Sequence, residues 1–153
     1  MIQRIQTAFL IIATILLVFV ALFPLAELLG TASEAVYEIS FKGLLSESAP
    51  SVDFSSLPLS ILIALCLILT VVIIFLFKKR MIQIRLCIIN IVLLVGLNGL
   101  MLYYVREAQK LLHANASYSI IFIFPLVSAI LVFLALRAIA RDEALIRSLD
   151  RLR

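Results

Sequence analysis

LPLSILIALCLILTVVIIFLF (residues 57–77), the basic turn KKRMIQIR (78–85) and LCIINIVLLVGLNGLMLYYV (86–105) together decide the fold. The two apolar stretches hold no Asp, Glu, Lys, Arg or His. Each is about 20 residues long, which at about 1.5 Å per residue crosses a hydrocarbon core about 30 Å thick. A soluble core helix has no need of such a run. The intervening turn is too short for anything but a reversal, so the two helices are antiparallel neighbours. Outward from this pair, residues 8–26 and 120–136 read the same way, with Glu27 just past the first. The chain is therefore expected to be an all-α integral membrane protein. It reads as an antiparallel bundle of four transmembrane helices spanning about 8–26, 57–77, 86–105 and 120–136.

Composition agrees. The chain has 153 residues, 65% of them hydrophobic, and a mean hydropathy of +1.24; soluble domains are nearer about 45–50% apolar. One four-helix unit uses up this length, so residues 1–153 are expected to form a single membrane domain. The first apolar run exceeds the roughly 7–15 residues of a signal-peptide core, which predicts an uncleaved helix. Cys66 falls mid-span and Cys87 at a span's start. Antiparallel helices place them about 13–15 Å apart in depth, beyond disulfide reach of about 7 Å. Both are expected to be free thiols packed as small core residues.

A net charge of +4 would suggest nucleic acid only if position were ignored. Ten of the 13 basic residues flank one side of the spans: Arg4, Lys78, Lys79, Arg80, Arg85, Arg137, Arg141, Arg147, Arg151 and Arg153. Only Lys42, Arg106 and Lys110 flank the other. Basic flanks stay cytoplasmic, so both termini and the 78–85 turn are expected inside. No nucleic-acid partner is expected. Tyr103, Tyr104 and Tyr118 would then lie in the outer interfacial belt.

Between the first two spans, Tyr37 to Lys42 and Ser51 to Ser55 alternate apolar and polar around turn formers, the period of half-buried strands. A small extracytoplasmic β-hairpin is expected, marginal unless it leans on other structure. Pro24 should weaken or kink the outer end of the first helix. The third helix should continue outward to about His113. Residues 115–119 should reset the chain, with Ser117 or Ser119 as N-cap and Pro125 in the first turns of the fourth helix, where proline costs least. The tail 137–153 reads as an amphipathic cytoplasmic helix. Ala138, Leu145, Ile146, Leu149 and Leu152 share one face, the arginines take the other, and Glu143 pairs with Arg147.

Ionisable groups mark most coupled transporters; these spans have none. Their polar residues are mild: Thr14, Cys66, Thr70, Asn90, Asn98 and Ser128. Asn98 is the most demanding, because an unpaired amide in hydrocarbon is costly. It should bond another helix. Gly96 and Gly99 are spaced GxxG and would permit close approach, within the bundle or to a second copy. Met1-Ile2-Gln3 recurs as Met81-Ile82-Gln83, each ahead of an outward-running helix; a shared interfacial preference accounts for this as well as a repeat does.

Three segments are more specific than hydropathy: MIQRIQT (1–7), KKRMIQIRLC (78–87) and LALRAIARDEALIRSLDRLR (134–153). In order and spacing the chain resembles an uncharacterised four-helix inner-membrane family of Bacteroidota, a domain of unknown function. Leu136 stands where the resemblance leads one to expect a small polar residue. The resemblance implies the bacterial inner membrane and no activity, substrate or cofactor.

No cofactor, metal or catalytic residue is expected, and no enzyme. The leading expectation is an accessory or scaffold subunit that meets another membrane protein, or itself, through Arg4, Lys78, Lys79, Arg80, Arg85, Arg137 and Arg141, with the lipid bilayer as its other partner. The alternative is a small transporter or lipid-binding protein with a cavity around Asn90, Asn98 and Ser128. A membrane enzyme built on Glu34, Glu38, Glu107 and His113 ranks last.

Overall fold

The computed structural model describes residues 3–30, 36–40, 43–46, 56–112 and 114–150. Four helices dominate: α1 (Gln3–Leu22), α2 (Leu57–Phe75), α3 (Arg80–Leu112) and α4 (Phe124–Asp150). All four are long and apolar enough to cross a membrane. Each helix packs against two others, α1 and α3 both lying between α2 and α4. Neighbours run in opposite directions. Early α1 meets late α4 at Gln6 and Asp142, and late α1 meets early α4 at Phe19 and Phe124.

The buried positions repeat every three then four residues. They are Gln6, Leu10, Ala13, Leu17 and Val20 on α1; Leu59, Ile63, Cys66, Thr70 and Ile73 on α2. Gln83, Cys87, Asn90, Leu94, Leu97 and Met101 follow on α3, and Ser128, Val132, Ala135 and Ile139 on α4. This period of about 3.5 is the seam of a left-handed antiparallel coiled coil. The remaining faces expose large apolar side chains, as a lipid-facing surface would. Cys66 and Cys87 are both buried and free.

Proline and polar punctuation set the helix ends. Pro24 disfavours helical backbone at the residue before it, and α1 stops at Leu22 rather than continuing to 26. A 3₁₀ turn (Leu76–Lys78) closes α2 and leads into α3. A second 3₁₀ turn, Ile120–Ile123, precedes α4, so the fourth span opens on a tighter helix than expected. Ser119 sits at the cap of this turn with extended backbone, but its side chain makes no capping bond. Ser117 lies in a strand.

The expected hairpin is replaced by a larger unit, a four-stranded antiparallel sheet of β1 (Ala26–Gly30), β2 (Val36–Ser40), β3 (Gly43–Ser46) and β4 (Ala114–Tyr118), ordered β3-β2-β1-β4. The residues released by Pro24 form β1, and those expected to be a linker form β4. A two-stranded hairpin is marginal by itself; here β2 is flanked on both sides and the sheet rests on a helix. Ala26, Leu28, Tyr37 and Ile39 point inward onto Val105 and Ala108 of α3, while Glu27 and Glu38 point away. Residues 51–55, the expected second strand, lie outside the described residues.

In the tail, the buried line runs through Ala135 and Ile139 to half-buried Asp142, and Leu145 is 58% exposed. The expected face through Ala138 and Leu145 is therefore not the packed one. The side chains from Ile146 onward, Arg147 among them, are outside those described.

Candidate functional site at the basic end

The end of the bundle opposite the sheet gathers the start of α1, the turn into α3 and the late part of α4. Two buried glutamines tie it together. Gln6 Nε2 on α1 donates to a carboxylate oxygen of Asp142 on α4. Gln83 Nε2 on α3 donates to the Ile73 carbonyl of α2 at 3.1 Å. Both glutamines occupy seam positions, so each amide reaches across an interface that is otherwise apolar. A bond to a charged acceptor such as Asp142 is stronger than one between neutral groups.

Around this knot, Lys79, Arg85, Arg137 and Arg141 are exposed and Arg80 is half-buried. None of the five has an ion-pair partner among the described residues. The ion pair that is described, Lys110 with Glu107 at 4.0 Å, belongs to the sheet end and is solvated enough to contribute little. Arg4 and Lys78 belong to elements at the basic end, but their side chains lie outside the described residues. These five predicted cations thus lie at one end of the molecule, as a basic rim around the knot.

Within the rim a groove of about 370 Å³ opens between α1 and the turn into α3. Gln6, Thr7, Arg80 and Gln83 give it a polar part; Ala8, Ile11 and Phe77 give it an apolar part. Gln6 lies in the first turns of α1, and Arg80 opens α3.

The intramembrane polar residues do not converge. Asn90 Nδ2 donates to Thr70 Oγ1 at 2.9 Å across α2 and α3, and Thr70 donates onward to the Cys66 carbonyl at 2.7 Å. Ser128 Oγ lies 3.4 Å from the Ala13 carbonyl, between α4 and α1. Asn98, with its amide turned so that both polar atoms find partners, donates to the Phe122 carbonyl (3.3 Å) and accepts from the Leu126 N–H (3.0 Å). In a continuous α-helix those two backbone groups would bond each other. Asn98 inserts between them where the 3₁₀ turn becomes α4. Each amide or hydroxyl therefore serves a different helix–helix interface. Thr14 bonds the Leu10 carbonyl of its own helix.

At the sheet end, Glu27 and Glu38 oppose each other across β1 and β2 on the exposed face. Glu107 lies on α3, beside Lys110. Glu34 and His113 lie outside the described residues. No group of three potential metal ligands occurs among the described residues.

Gln6, Gln83 and Asp142 make structural contacts that span counting passes over. Their signal is register: Gln6, Thr70, Gln83, Asn90 and Ser128 all fall on the seam. A family model described as a domain of unknown function, DUF4293, matches residues 2–152. No curated protein matches the chain.

Proposed function

We propose, from the premise that this chain belongs to the DUF4293 family, that it is a non-enzymatic accessory or scaffold subunit of a bacterial inner-membrane complex. Both termini and the basic rim face the cytoplasm, and the sheet faces outward. The observation that carries this reading is the set of cations at one end that have no ion-pair partner among the described residues: Lys79, Arg85, Arg137 and Arg141 stand out from the bundle. Cations held at a membrane surface are drawn to acidic protein surfaces or anionic lipid. The interior supports the same reading, because Asn90, Asn98 and Ser128 each bond a neighbouring helix and do not converge on one cavity.

The test is native purification of the full chain from membranes without crosslinker. A defined complex at fixed stoichiometry is expected, lost in the Arg137→Glu/Arg141→Glu variant although that variant still inserts. Repeated recovery of the lone protein would count against the proposal.

A further inference from the structure

We infer that the groove between α1 and the turn into α3 binds the phosphate of an anionic phospholipid. Arg80 is the cation that receives it, and Ile11 and Phe77 carry the start of an acyl chain. The groove has the two chemistries of such a ligand side by side. Its polar part holds a guanidinium that is half-buried and has no ion-pair partner among the described residues. Arginine presents a planar fork of donors that matches two phosphate oxygens at once. No carboxylate is among the residues that line the groove, and Asp142 of the knot is engaged by the Gln6 amide.

The apolar part is exposed where a lipid would lie. Ile11 is 45% exposed and Phe77 55%, both beside the buried Gln6 and Gln83 amides. A soluble anion would gain nothing from that wall. A volume of about 370 Å³ is in the range of small-molecule sites. Basic pockets between transmembrane helices at the cytoplasmic surface bind anionic headgroups by the same physics. The inference rests on the chain being membrane-embedded and is independent of any partner complex.

The test is native mass spectrometry of the full chain released from nanodiscs containing phosphatidylglycerol and phosphatidylcholine. The wild type is expected to retain phosphatidylglycerol preferentially. Arg80→Gln should reduce that retention about fivefold, whereas Arg137→Gln, which removes an equal charge outside the groove, should change it less than about twofold. Ile11→Trp, which fills the apolar part without altering charge, should also displace the lipid; it decides the matter if Arg80→Gln fails to fold. Equal losses in Arg80→Gln and Arg137→Gln would overturn the proposal, because attraction would then be diffuse. So would displacement of the lipid by millimolar inorganic phosphate, because the groove would then be reading a free anion.

Discussion

Asn90 is wholly buried, and its Oδ1 has no hydrogen-bond partner among the described residues. Its amide nitrogen depends on Thr70, whereas Thr70 has a second bond of its own to Cys66. The pair is therefore asymmetric. Removing a partner and stranding a buried polar group costs more than removing the group itself. Thr70→Val should destabilise the bundle by about 1 kcal/mol, and Asn90→Leu by less, or not at all. Adding Asn90→Leu to Thr70→Val should recover much of the loss, as read by thermal unfolding of all three variants in one detergent. Asn98 presents the opposite case, since both of its polar atoms hold backbone. Asn98→Leu strands the Phe122 carbonyl and the Leu126 N–H, and should cost about 1–3 kcal/mol. It should also speed hydrogen exchange at Leu126. That Asn98 must bond another helix was legible from its chemistry; that its partner is the broken turn before α4 was not, because the partner is backbone and leaves no mark in the side chains.

Among the elements, α3 departs most from what its glycines suggest. Gly96 and Gly99 are exposed, and a Cβ at either would meet nothing within 4 Å. They do not permit close packing inside the bundle. Alanine at either position should fold normally and raise the unfolding temperature, since glycine in a helix interior costs about 0.5–1 kcal/mol relative to alanine. A fall in stability accompanied by loss of a dimer would show instead that a second copy covers this face. The sheet behaves differently. Ile39 is 1% exposed and Leu28 fully buried against α3. Ile39→Ala should cost about 2–5 kcal/mol, and Glu38→Gln on the opposite face should cost nothing or slightly stabilise by easing repulsion with Glu27. Guanidinium titrations of the purified chain would separate the two. The alternation of Tyr37 to Ser40 was legible as a strand. Strands β1 and β4 were not, because AELLG continues a run that reads as helix, ANASY reads as a linker, and they pair with each other across nearly 90 positions of sequence.

For the whole molecule, the distribution of charge predicts its direction in the membrane. With the native Cys66 and Cys87 buried, a cysteine placed at Glu38 should react with an impermeant maleimide in intact spheroplasts, and one placed at Arg141 only after lysis. The reverse pattern would invert the proposed orientation and remove the basis for a cytoplasmic rim. Four helices long and apolar enough to span a bilayer, and the grouping of cations at one end, followed from the sequence alone, whereas α3 begins at Arg80, inside the expected 78–85 turn. Length, hydropathy and charge are local properties, and the bilayer acts on them locally. Which face of each helix is inside was settled by packing. In water a buried face differs from an exposed one in polarity, but in lipid both are apolar, so hydropathy cannot tell Leu10 (1% exposed) from Ile11 (45%). The seam is drawn instead by packing every 3.5 residues and by the few amides and hydroxyls that need partners, Gln6, Thr70, Gln83, Asn90 and Ser128, and those partners exist only once the helices have met.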